Sequence, residues 1–195
     1  MQKELSEMTL EELWELFPII LKDYNPKYPS WYEIIKEDLL KLFDDDTIVR
    51  ISHIGSTAIP GIVSKPIIDI LMELSKQSDR QQITEQFMAM GWILMKSADE
   101  PYFHQSYNKG YTKYGFADQV YHLHVRYSGD WSELYFRDYL IEHPEIAAKY
   151  TNLKLQLKDK YEHNRDAYTD AKEEFVLTYS QLAKEEYGDR YKLMY

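Results

Sequence analysis

The sequence contains no cysteine, which excludes a disulfide framework, a thiolate zinc site, an iron–sulfur cluster and a thiol nucleophile. Long apolar runs are missing as well. Phe17 to Leu21 is among the longest, far short of the roughly 20 residues that cross a bilayer. Met1 to Phe17 is acidic and lacks the apolar core of a signal peptide, so a cytoplasmic protein without membrane partners is expected. Basic charge is scarce: 23 Lys and Arg face 33 Asp and Glu, a net charge of −10. The deficit is uneven. Residues 1–46 carry five basic against twelve acidic groups, residues 47–127 eight against seven, and residues 128–195 ten against fourteen. With no basic block to offset this repulsion, bulk nucleic-acid binding is disfavoured. The near-neutral middle can still hold a small phosphorylated ligand.

What is present fits a folded chain. Apolar residues make up 44% of the 195, and 18 tyrosines lift the aromatic share to 15%, which argues against disorder. The length suits one domain, or one domain with a helical appendage. Residues 8–17 read as a short amphipathic helix with Thr9 as N-cap and Glu12 closing a capping box. The run YNPKYP breaks it, and Ser30 is placed to cap a helix reaching Phe43, with Trp31, Ile35, Leu39 and Leu42 on one face. Asp44-Asp45-Asp46 then reads as a solvated turn, since consecutive carboxylates point in different directions.

Strands are expected over Thr47–Ile54, Pro66–Leu74, Trp92–Lys96, Tyr102–Asn108 and Val120–Tyr127, with a hairpin turn or loop over 109–118. Asp79 to Met90 has helical spacing, and Gly91 is placed to cap it. Beyond Gly129 the pattern is helical. Trp131–Glu142 forms one helix, Ile146, Tyr150, Leu153 and Leu157 mark the next, and Tyr168, Ala171, Phe175, Tyr179 and Leu182 mark another. The expected architecture is α+β: a mixed sheet over about 47–127 with flanking helices, then a C-terminal helical bundle over about 130–185.

Chemistry concentrates in residues 53–71, HIGSTAIPGIVSKPIIDIL. A strand enters a turn in which Gly55 is followed by the hydroxyls of Ser56 and Thr57, and such a turn can hold phosphate oxygens. Lys65 can add a point charge to the same phosphate. Asp69, on the outgoing strand, is a hard ligand for a divalent metal such as Mg²⁺. His122 and His124, at i and i+2, leave one strand face together, a geometry suited to zinc or manganese. The same rings can instead hydrogen-bond to backbone or tyrosine, and the sequence leaves both readings open. Arg137 can fork onto a phosphate or tie its helix to an acidic group. His53 is expected to orient the Gly-Ser-Thr turn, and the helical tyrosines to pack the bundle.

The 53–71 segment resembles the signature of the GrpB family, a group with a nucleotidyltransferase-like fold. The likeness extends through His122-Leu123-His124-Val125, Phe136-Arg137-Asp138-Tyr139-Leu140, His143-Pro144, Tyr150-x-x-Leu153-Lys154 and Tyr168-Thr169-x-x-Lys172-x-x-Phe175. It implies a single domain over 22–195 with an N-terminal extension over 1–21. It also implies a nucleotide or phosphorylated ligand at Gly55-Ser56, with a D-x-D pair of carboxylates holding metal. Here Asp69 takes the first position, but Leu71 stands at the second, and Glu73 lies too far along the strand to share an ion. Two functions are therefore carried forward: a metal-dependent nucleotidyl- or phosphoryl-transfer protein using Asp69, His122 and His124, and a catalytically silent ligand sensor or interaction module on the same fold.

Overall fold

β-branched and aromatic stretches build the sheet, and alternation along them decides what each face meets. In the computed structural model, which describes residues 3–44 and 46–192, the strands are β1 (Ile48–Ile54), β2 (Ile67–Leu74), β3 (Ile93–Ala98), β4 (His104–Thr112) and β5 (Gly115–Tyr127). They form one mixed sheet in the order β1-β2-β5-β4-β3. β2 and β5 run parallel, and every other neighbouring pair is antiparallel. The helices are α1 (Leu10–Leu16), α2 (Tyr28–Leu40), α3 (Arg80–Ala89), α4 (Ser132–Glu142), α5 (Pro144–Tyr161), α6 (Arg165–Asp170) and α7 (Glu173–Tyr187).

β2 is nearly continuous in apolar residues because both of its faces are covered. Ile68, Ile70, Met72 and Leu74 join Leu123 and Val125 of β5 beneath α2 and α3. On the opposite face Leu71 packs with Ile54 and Leu134 of α4. The C-terminal helices hold a cluster of their own, in which Tyr135, Phe136, Leu140 and Tyr150 meet Ile59 and Ile62 from the β1–β2 connection. The sheet thus lies between two helical layers, with Asp69, Leu71 and Glu73 turned toward the C-terminal one.

Local signals place several ends. Thr9 and Glu12 make the reciprocal capping box of α1, and the Asp79 side chain accepts from the N–H groups of Gln81 and Gln82 at the start of α3. Residues 109–118 hold the expected hairpin turn, at 113–114, with β4 and β5 paired up to Thr112 and Gly115, where the Thr112 hydroxyl bonds the Gly115 carbonyl. Two expectations need correction. α2 begins before Ser30, with a proline in its first turn, and the Ser30 hydroxyl donates back to the Lys27 carbonyl instead of capping. The last helical stripe is divided between α6 and α7, with Lys172 at the break. Asp44 and Asp46 flank Asp45, which lies outside the described residues.

The residue that follows α1 packs on the β4–β5 hairpin. Phe17 is buried with its ring 4.8 Å from Tyr111 and 5.0 Å from Phe116. No helix among the described residues is long and apolar enough to cross a membrane.

Candidate functional site

Parallel pairing of β2 and β5 places Asp69 beside His122 and Leu71 beside His124, all on the face toward the C-terminal helices. His122 Nδ1 lies 3.0 Å from Asp69 Oδ1. Asp69, ionised, only accepts, so His122 donates from Nδ1, and its Nε2 is hydrogen-bonded to the Tyr111 hydroxyl at 2.8 Å. That hydroxyl oxygen accepts in turn from Arg165 Nη2 at 2.9 Å. A continuous hydrogen-bonded chain therefore links Asp69, His122, Tyr111 and Arg165. Burial alone would raise the Asp69 pKa, but the hydrogen bond from His122, with the positive charge of Lys65 nearby, holds it below the usual carboxylate value. Burial acts the other way on His124, lowering its pKa and favouring the neutral ring. The donor atoms of Asp69, His122 and His124 all lie within 4.8 Å of one another.

Gly55 makes room for this carboxylate. Its φ of +68° with ψ of −172° is essentially reserved for glycine, and a Cβ there would run into Asp69 Oδ2, with Asp69 Cβ and Cγ at 3.0 Å. Gly55→Ala should therefore cost about 1–3 kcal/mol from the backbone alone and push Asp69 off the histidines. Urea unfolding and a Mn²⁺ titration read the two effects separately. Wild-type behaviour in both would show that the turn can shift to accommodate a methyl group.

The Gly-Ser-Thr turn divides its hydroxyls. Ser56 lines a cavity of about 380 Å³ and lies 3.3 Å from Lys154 Nζ. Thr57 corrects the expectation that both hydroxyls face ligand. It is 1% exposed, donates to the Ile67 carbonyl at 2.9 Å and meets His53 Nε2 at 3.0 Å, so it fastens the turn to β2. His53 orients the turn through this contact. Its ring stacks on Tyr32, and burial pushes its pKa down to about 4. Arg137 also departs from a phosphate role. Its guanidinium donates to the His53 carbonyl, Asp138 and the Tyr191 hydroxyl, tying α4 to β1 outside the cavity. Leu71 is fully buried. Glu73 is held by a two-pronged Arg50 contact and by the Gly129 N–H, which removes it from any metal set.

Opposite the sheet, α5, α6 and the α6–α7 break supply Lys154, Arg165 and Lys172, and Lys65 comes from the β1–β2 connection. Lys172 Nζ lies 4.4 Å and Lys65 Nζ 5.7 Å from the centre of the Tyr168 ring, while Lys154 Nζ lies 4.6 Å from that of Tyr150. Burial, reinforced by Lys172 and Arg165, lowers the Lys65 pKa to about 7. Burial and Lys172 lower Lys154 to about 7, and burial lowers Lys172 to about 8 against the pull of Asp69. Sequence reading assigned these helical lysines no role, although a signal is present. Tyr150 and Lys154 stand four residues apart in α5, the spacing that sets an ammonium over a ring on one helix face, and Tyr168 and Lys172 repeat the spacing across the α6–α7 break.

Comparison with known proteins identifies relatives of this chain. The family described as GrpB protein matches residues 18–181. The chain belongs to the GrpB family. UPF0157 protein YqkA of Bacillus subtilis is 34% identical over 167 residues, covering 83% of this chain but only 46% of YqkA's own length. Glutamate-rich protein GrpB of Alkalihalophilus pseudofirmus is 32% identical over 169 residues, 81% of this chain and 91% of that protein. The crystal structure of conserved protein GrpB from Enterococcus faecalis superposes with a TM-score of 0.75 at 25% identity, over 86% of this chain and 99% of its own. The GrpB match begins one residue after Phe17, and its span includes every cavity residue named above.

Proposed function

We propose that this GrpB-family protein binds a nucleotide or another small phosphorylated molecule in the cavity between the sheet and α5–α6, with a divalent metal on Asp69, His122 and His124. The observation that carries the reading is the cation set. Lys65, Lys154, Arg165 and Lys172 line one cavity of about 380 Å³ against only two carboxylates, Asp69 and Asp166. Buried ammonium groups without matching anions are unfavourable, and a phosphate chain brings several charged oxygens to neutralise them. The Tyr168 hydroxyl, buried at the cavity wall with no hydrogen-bond partner among the described residues, adds an unused donor.

The donor set also supports a metal. Atoms within 4.8 Å of one another can share an ion at bond lengths of roughly 2.0–2.2 Å. One oxygen and two imidazole nitrogens suit zinc or manganese better than magnesium, which favours oxygen. Leu71 takes the place of a second carboxylate, but His124 stands level with it on β5, so a nitrogen from the next strand substitutes for the missing oxygen. A bound ion would supply Lewis acidity at the phosphoryl group. The lysines would hold the phosphate oxygens, and Tyr111 would orient His122 as a ligand through its other ring nitrogen. With one carboxylate in place of two, nucleotidyl transfer is expected to be weak and binding to outlast turnover. Buried Leu71 favours the second reading, a silent ligand sensor, over strong catalysis.

Calorimetric titration of ATP with Mn²⁺ into the wild type and Asp69→Asn tests the site. Metal-dependent affinity should fall at least tenfold in the variant while its thermal transition persists. Equal affinities would remove Asp69 from the site. Pyrophosphate release under the same conditions separates transfer from binding alone.

A further inference from the structure

The two histidines of the site are held differently. His122 is fixed at both ring nitrogens, by Asp69 and by Tyr111. His124 meets the His122 ring edge-on at 6.5 Å and makes no hydrogen bond among the described residues. A metal-bound imidazole ordinarily gives its second N–H to a carboxylate or carbonyl, which fixes the ring and raises its basicity.

α4 brings a carboxylate to that place. It crosses the same sheet face, where Leu134 packs on Leu71, the β2 residue level with His124. Phe136 lines the cavity together with His124, and Glu133 stands three residues earlier, on the same side of the helix. Arg126 leaves β5 two residues after His124 and therefore on the same face. Its Nη2 donates to Glu133 Oε1 at 2.6 Å. Its guanidinium lies 4.5 Å from the Trp131 ring centre and 5.5 Å from that of Tyr102. The carboxylate is thereby pinned over β5 beside His124.

Its other oxygen is unused. Glu133 Oε2 is buried without a hydrogen-bond partner among the described residues, and so is Arg126 Nε, so the ion pair touches at one point and does not close as a fork. Burial alone would raise the Glu133 pKa, but the Arg126 charge and hydrogen bond hold it below the usual carboxylate value. Ionised, Oε2 only accepts. The Glu133 charge in turn pulls the His124 pKa upward against burial.

We infer that Glu133 is the positioning residue of His124, its Oε2 accepting the ring N–H that a bound metal leaves unused. This rests on the metal-binding part of the reading above and deepens it. The charge that a second carboxylate at position 71 would bring directly arrives through an imidazole.

The test uses zinc alone, with affinity measured by competition against a chelating dye. Affinity should fall about 10- to 100-fold in Glu133→Ala, the usual scale for removing such a partner. NMR of protein with isotope-labelled histidine supplies a second readout. The zinc-loaded wild type should show a slowly exchanging ring N–H, assigned to His124 by its loss in His124→Ala, and Glu133→Ala should lose the same signal. A merely structural Glu133 would leave it in place. Should the alanine variant fail to fold once Arg126 loses its partner, Glu133→Gln decides. It keeps a contact with Arg126 but has one acceptor oxygen for two donors, so it should lose zinc affinity and the N–H signal while its thermal transition persists. Wild-type zinc affinity in the folded variants, or a His124 N–H that survives in them, would overturn the positioning role and leave the metal site standing. Zinc binding that is absent in wild type, or unchanged in Asp69→Asn, would overturn the metal reading and this inference with it.

Discussion

Glu73→Ala should lower folding stability by about 3–5 kcal/mol, the scale for removing one partner of a buried ion pair. Glu73 is 0% exposed, and its two oxygens take both prongs of Arg50 as well as the Gly129 N–H. Arg50 also donates to the Gly129 carbonyl, so the pair joins β1, β2 and the loop leading into α4. The alanine variant leaves a cation and a backbone donor facing a void. Glu73→Gln keeps an oxygen for Gly129 but loses the ionic attraction, and should fall between the alanine variant and wild type. Urea unfolding with a common slope measures both. A loss below about 1 kcal/mol in the alanine variant would mean that water or a neighbouring group replaces the carboxylate.

Lys172→Met should weaken tripolyphosphate binding roughly 10- to 100-fold, the equivalent of one charge-assisted contact of about 1.5–3 kcal/mol, and yet stabilise the ligand-free protein. Lys172 depresses the pKa of both Lys65 and Lys154, so its removal relieves repulsion that the anion otherwise relieves. The pH dependence follows from the same groups. Folded pKa values of about 7, 7 and 8 for Lys65, Lys154 and Lys172 lie below the ordinary 10.5. Between those limits the unfolded chain binds more protons than the folded one, so ligand-free stability rises with pH from about 7 toward 10. Anion affinity moves in the opposite direction, greatest below pH 7 and declining through 7–8 as the ammonium groups discharge. Thermal unfolding and calorimetry across pH 6.5–9 check both. Parallel trends would show that these lysines do not govern binding.

Much of the fold was legible because its signals are local. Thr9 with Glu12, Asp79, the His143-Pro144 step and the apolar run of β2 each mark an element within a few residues. The convergence of Asp69, His122 and His124 was legible because strand alternation decides direction, and all three leave their strands on one face of the sheet. Thr57 and Arg137 were not, because hydroxyls and guanidinium groups serve equally well as ligands and as internal ties. Only the distance to the Ile67 carbonyl or the Tyr191 hydroxyl distinguishes those uses. The helical lysines were missed for another reason. Lys154 and Lys172 look like ordinary solvated charges until the bundle closes over the sheet and turns them inward.

The single parallel pairing, β2 with β5, has a consequence for how the sheet holds together. β1 and β2 form one locally connected half, and β3, β4 and β5 form another. The two halves meet along one seam whose partners are far apart in sequence, so chain entropy must be overcome before that seam contributes contacts. Asp69 belongs to the first half, and His122 and His124 to the second. An ion or anion that engages both sides would act as a clamp across the joint, and by mass action its stabilisation of the sheet would grow with the logarithm of its concentration relative to its dissociation constant. Occupancy of the site and integrity of the sheet are then two measures of one equilibrium.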